Sequence, residues 1–246
     1  MTLNFRFVSV FCLLLASLRL EAQDDIIHEN QAWVGYINQS RMNERISLLN
    51  DAHFVPNSFL ILRTGAIYHF SLGENLKGST SLGYAHLWLY PPAKSPDPSR
   101  NEHRPWGQTT LNHQSGKFGF LHRLRYDARF RQQVTHHQRT DDYLFNWRFR
   151  YFVQVRYPLK NFPESGAQLY VFNSNEVLYD AGKTIKNHFR LNQNRYTIGI
   201  GYRFSPTLSL QIGYLNMLKK APSSSTLTMA HTASVMLFHN LDFRTK

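Results

Sequence analysis

Between residues 118 and 157 apolar and polar side chains alternate with a period of two. Phe118, Phe120, His122, Leu124, Tyr126, Ala128 and Phe130 share one face of an extended chain. Gly119, Leu121, Arg123, Arg125, Asp127, Arg129 and Arg131 share the other. The pattern returns with Tyr143, Phe145, Trp147, Phe149, Tyr151, Val153 and Val155 against Asn146, Arg148, Arg150, Gln154 and Arg156. Successive side chains of a strand point to opposite faces, so this periodicity predicts two long strands. An aromatic face backed by an arginine face suits a barrel wall between lipid and a polar lumen. A soluble sandwich could bury the same aromatic face as its core.

The rest of the chain decides between them. Asp24 to Asn30 reads as a polar lead-in. Gln31–Ile37 and Arg45–Asn50 read as a weak hairpin around Arg41-Met-Asn43. Phe59–Phe70 and Lys77–Tyr90 are stronger strands. Pro91 to Pro105 holds five prolines and reads as a break, because proline lacks the ladder donor. Trp106–Gln114, Gln168–Tyr179, His188–Ser205, a strand through Leu208–Tyr214, and Met229–Phe243 complete the set, with turns expected at 158–166 and a Ser-rich loop at 222–226. Short connections at 71–75, 115–117 and 205–207 alternate with longer ones at 91–105, 132–142, 180–187 and 219–227. Alternation of this kind marks outer-membrane barrels, with short periplasmic turns and longer external loops. Eleven strands are countable, but a chain with both termini on one side of a membrane needs an even number. Ten or twelve are therefore expected.

The first residues read as an export leader: Arg6, the apolar run Phe7 to Leu18, and a small residue for cleavage at Ala22. That run is shorter than the ~20 apolar residues of a spanning helix. Residues 1–22 are thus assigned to a signal peptide and 23–246 to the barrel, which then contains no cysteine, since Cys12 leaves with the leader. Losing Arg6, Arg19 and Glu21 changes the net charge from +12 to about +11. So basic a chain points to anionic partners such as lipopolysaccharide, phospholipid or phosphorylated solutes. Export argues against nucleic acid. With no long apolar helix, membrane residence requires a closed barrel, because hydrocarbon satisfies no free backbone group. An arginine facing the bilayer midplane costs roughly 2–4 kcal/mol. The seven arginines on one face of the 118–157 hairpin therefore turn inward, and Tyr143, Trp147, Tyr157, Trp88 and Tyr90 become interfacial aromatics.

Certain segments together resemble a family. They are Arg123-Leu-Arg125-Tyr-Asp127-Ala-Arg129, Arg148-Phe-Arg150-Tyr151, Asn175-Glu176, Gln193-Asn-Arg195 leading into Gly199-Ile-Gly201-Tyr202, and Gly213-Tyr214. In these the chain resembles the uncharacterised outer-membrane β-barrel proteins of Gram-negative bacteria grouped under a domain of unknown function. Asp127 stands where that family would place a glutamate. The resemblance implies an all-β fold, a single antiparallel transmembrane barrel in the outer membrane, twelve strands by family-type size, and no assigned activity.

The candidate lumenal site comprises Arg123, Arg125, Asp127, Arg129, Arg131, Arg148, Arg150, Arg156, Glu176, Arg195 and Arg203. Same-face neighbours lie about 6.5–7 Å apart along a strand, so the ladder needs negative charge to offset its repulsion. It could form an anion-selective passage or binding site for small anionic solutes. Alternatively Asp127 and Glu176 could pair with the arginines and plug a closed structural barrel that interacts with envelope components. A third class, a lipid-modifying enzyme, rests on Asn173-Ser174-Asn175, which resembles the serine segment of outer-membrane phospholipases. Phe172 replaces the histidine such enzymes place two residues before the serine, so no base is supplied locally. His136-His137, with His103 and His113, lacks zinc-site spacing, and neither a catalytic residue, a metal nor a cofactor is assigned. Arg100, His103, Arg104, Arg139, Lys183, Lys186, Lys219 and Lys220 fall in expected external loops, where they could meet lipopolysaccharide phosphates.

Overall fold

The computed structural model describes residues 26–73, 75–185, 189–220 and 227–244. The expected leader, Lys186 and the whole Ser-rich loop lie outside them. The described residues form one closed barrel of eleven strands in chain order: β1 (Ile26–Arg41), β2 (Ile46–Val55), β3 (Phe59–Ser71), β4 (Leu76–Leu89), β5 (Arg100–Ser115), β6 (Phe118–Thr135), β7 (Gln138–Phe162), β8 (Ala167–Ala181), β9 (Phe189–Arg203), β10 (Leu208–Lys220) and β11 (Leu227–Asp242). Sequential neighbours pair antiparallel. The wall closes through a parallel pair, β1 on β11, in register from Ile26↔Leu227 to Arg41↔Asp242. The expectation of ten or twelve strands is not met. An odd number of up-and-down strands sends the first and last in the same direction, so closure must be parallel. β1 therefore starts at one rim and β11 ends at the other.

One expected loop is a strand hairpin instead, and two others are shorter than expected. Residues 132–142 form a tight hairpin, in which His136 and His137 both adopt positive φ (51° and 60°), the geometry of a two-residue primed turn. Its polar sequence hid it, because no apolar side chain marks the pairing. Within 91–105, β5 begins at Arg100, and Pro105 sits inside the strand. Pairing with β6 stops after His103↔Phe130 and resumes at Trp106↔Asp127, the gap a missing N–H leaves, while Tyr84↔Pro105 keeps the β4 side. Pro158 lies in β7 beside a register shift before Lys160, and the strand continues to Phe162. Likewise the lead-in belongs to β1 from Ile26. One rim carries the turns 42–45, 72–75, 116–117, 163–166 and 204–207. The other mixes longer connections at 90–99, 182–188 and 221–226 with short ones at 56–58 and 136–137, so sorting by length is weaker than the sequence suggests.

The alternation is realised as two surfaces. Tyr126, Phe149 and Ile200 stand on the outer wall, 45%, 46% and 53% exposed. The inner face is filled unequally. Toward β1–β5 it is apolar, with Leu49, Ile61, Ile67, Ala85, Leu87 and Trp106 packed together with Ile37, Phe59 and Leu89. Trp106 lies across the wall at Gly83, where an added Cβ would come within 2.5 Å of its ring. Toward β5–β9 the inner face is ionic.

Candidate functional site

The period-two pattern places charged side chains of β5 to β9 on the inner face, and the barrel's curvature brings them together across strands that are not neighbours. Glu102 is fully buried and accepts from Arg104 Nε at 2.5 Å and from Arg129 Nε and Nη2 at 2.6 and 3.1 Å. Asp180 accepts from Arg148 Nε and Nη2 at 2.6 and 3.0 Å, and from Arg129 Nη1 at 3.3 Å. Glu176 takes Arg150 through Nε and Nη2 (3.0 and 2.8 Å to Oε1), Arg123 Nη2 at 2.8 Å and Arg195 Nη1 at 3.3 Å. Buried Asp127 accepts from Arg125 Nε at 2.8 Å, with Arg150 Nη1 at 3.7 Å. On β2 and β3, Asp51 accepts from Arg63 Nε at 2.7 Å. Forked arginine–carboxylate contacts are the stronger class of ion pair. Each carboxylate except Asp51 here serves two or three guanidinium groups.

Aromatic rings tie this cluster to the apolar half. The Arg125 guanidinium lies 4.6 Å from the Trp106 ring centre, Arg123 4.6 Å from Phe152, and Arg195 5.1 Å from Trp33 on β1. Trp33 Nε1 reaches His53 Nδ1 at 3.2 Å. The barrel's waist is therefore spanned from β9 to β2 by packed side chains.

Charge does not balance on this inner face. Arg63, Arg104, Arg123, Arg125, Arg129, Arg131, Arg148, Arg150, Arg156 and Arg195 face Asp51, Glu102, Asp127, Glu176 and Asp180. Ten cations, with Arg203 further toward the rim, oppose five anions among these described residues. Among the described residues Arg131 has only the Asn146 side-chain carbonyl, at 3.2 Å, and Arg156 only Gln154 Oε1, at 2.6 Å, as hydrogen-bond acceptors.

Of the residues picked out in the sequence, Arg123, Arg125, Asp127, Arg129, Arg148, Arg150, Glu176 and Arg195 come together in the waist, with Arg131 beside them. Arg156 and Arg203 do not. They lie toward the rim of shorter turns, exposed, Arg203 at the very end of β9. Glu102, Arg104 and Asp180 were missed because they sit in stretches that look like loops, and Asp51 and Arg63 because their pairing crosses β2 and β3. Glu102-x-Arg104 does carry the period-two signal. Arg104 is accordingly an interior residue and not an external loop charge. His103 lies on the outer wall against Tyr84 and Tyr143. Arg139 belongs to β7 and holds Ser99, and Lys219 belongs to β10 and pairs with Glu29 at 3.5 Å. His137 meets Asp97 at 2.7 Å at the hairpin tip.

Ser174 faces inward and is buried, whereas Asn173 and Asn175 point outward to Tyr196 and Asn194. These begin a polar row on the outer wall. Asn175, Tyr196, Asn216, His231 and Asn30 oppose one another directly on β8, β9, β10, β11 and β1. Tyr214 reaches His231 at 2.6 Å, and His28 reaches it at 2.9 Å. Much of the row satisfies its polar groups sideways, along the wall.

A family model described as "Protein of unknown function (DUF2490)" matches residues 30–228. No curated protein and no solved structure matches the chain.

Proposed function

Starting from a chain that belongs to the DUF2490 family of proteins of unknown function, we propose that it is an exported outer-membrane barrel with a closed ionic waist. In this proposal it binds small anionic solutes from its mouth without passing them freely. The outer wall supports membrane residence. Leu82, Leu124, Ile198 and Ile200 are each more than half exposed, and thirty-two large hydrophobic residues are exposed among the described residues. A soluble surface seldom carries so much contiguous apolar area. At a tilt of ~40° even ten-residue β2 spans about 25 Å along the axis, the height of an outer-membrane apolar band.

The observation that carries the anion reading is the surplus of arginines over carboxylates on the inner face, ten against five even before Arg203 is added. Taking a charge out of water costs several kcal/mol unless it is paired, and an unbalanced interior therefore favours mobile anions entering it. The crossed ion pairs of the waist favour binding over passage. In this reading Arg100, Arg139 and Lys183, at the rim of longer connections, would meet lipopolysaccharide phosphates.

Planar-bilayer recording in asymmetric salt tests this. The purified protein should give no steady conductance, while breaking the waist with Glu176→Ala and Asp180→Ala together should produce brief anion-preferring openings. A stable open channel in the unaltered protein would replace binding with passive passage. Recovery of folded protein in aqueous buffer without detergent would remove the membrane reading altogether.

A further inference from the structure

Away from the waist, Arg156 is built differently from its fellow arginines. Its Nε donates to Gln154 Oε1 at 2.6 Å, and its guanidinium carbon lies 5.5 Å from the centre of the Tyr170 ring. Tyr170 is itself fixed. Its hydroxyl accepts from Gln211 Nε2 at 3.1 Å, and its ring lies over Gly201, where an added Cβ would stand 2.1 Å from Cζ. The guanidinium is thus held at Nε and on one face, and neither Nη has a hydrogen-bond partner among the described residues. Among the described residues Arg156 has no ion-pair partner, and Arg203 lies on the same face toward the same rim: Arg156 is paired with Phe172 of β8 and Arg203 with Gln168 of the same strand. In the waist, by contrast, eight arginines each have a carboxylate. A rim arginine kept for solubility would move freely in water. Two like charges on one face of the mouth, one of them held in place, favour an anion between them.

We propose that Arg156 and Arg203 form an anion site in the mouth at the rim of shorter turns, taking a free phosphate- or carboxylate-bearing solute. This rests on the anion-binding reading above and gives it a place and a ligand class. The fork of Arg156 would take two oxygens of the anion, Arg203 would add charge, and Gln154 and Tyr170 would orient the fork without touching the anion. Because both arginines lie on the inner face, the ligand comes from solution and not from the headgroups around the outer wall.

The test is titration of inorganic phosphate, and separately of succinate, into the full chain in uncharged maltoside detergent, followed by the thermal unfolding midpoint. Heat-modified gel migration reports folding of each variant. Saturable stabilisation that weakens with ionic strength is expected. Arg156→Gln and Arg203→Gln should each weaken it about tenfold. Arg156→Lys, which keeps the charge and loses the fork, should fall between. Lys94→Gln, at an exposed loop position of the other rim, should match the unaltered protein. If phosphate binds and neither mouth variant changes it, the anion lies in the waist, and this assignment fails while the binding reading stands. If neither anion binds at all, both fail. If stabilisation appears only with phosphatidylglycerol added, the source is lipid and the free-solute site is wrong.

Discussion

Single side chains decide most where one acceptor serves several donors. Glu176 holds Arg150, Arg123 and Arg195 together. Removing one member of a buried ion pair costs about 3–5 kcal/mol, because the partner stays buried without its counter-charge. Glu176→Gln should therefore lower unfolding stability by several kcal/mol in urea titration of the detergent-folded barrel. Asp242→Asn, at a rim where Asp242 and Arg244 are exposed, should leave it nearly unchanged. A loss of similar size at both would deny the waist its special role. Gly201→Ala probes the mouth without touching a charge. The new Cβ would displace the Tyr170 ring, and overpacking of this kind costs about 1–3 kcal/mol. Phosphate affinity should drop with it through loss of the Arg156 stack. Unchanged affinity would mean that the ring does not orient the guanidinium.

Elements bring in what no single residue contains. The parallel β1–β11 seam sets Val34 against Val235. Strands in a sheet lie about 4.8 Å apart, so Val34→Cys with Val235→Cys should be joined by a short thiol cross-linker, in a chain whose only native cysteine is Cys12. Moving one cysteine to Leu241 should abolish the cross-link, since that residue faces Ser40 instead. Cross-linking of the shifted pair and not of the registered pair would rule out this closure. The strands themselves were legible wherever the inner and outer faces differ in polarity, as in β6, β9 and β10. They were not legible where both faces are polar, as in the 132–142 hairpin, or where proline falls in a strand. In β5 the ladder tolerates Pro105 because the residues on either side of the gap pair with β6 in one register.

At the scale of the molecule, parity governs. Eleven strands place Ile26 at the rim of longer connections and Asp242 at the opposite rim. Epitope tags at the two ends of the chain, in proteoliposomes with one insertion direction, should be cleaved by protease from opposite sides. Cleavage of both from one side would call for another strand in the wall.

The sequence alone determined the class of wall: period two is a local property of a strand, and seven arginines on one face of a hairpin leave that face a single energetically tolerable direction. It also named most of the waist, since inward-facing residues can be counted along each strand. Only the tertiary structure decided how the wall closes, which carboxylate serves which arginine, and that Arg156 and Arg203 stand apart from the rest. Those facts depend on register and curvature between strands far apart in the chain, as when Arg123 meets Glu176 across β7 or Arg195 meets Trp33. Closure is a property of the whole ring, and no local pattern encodes it.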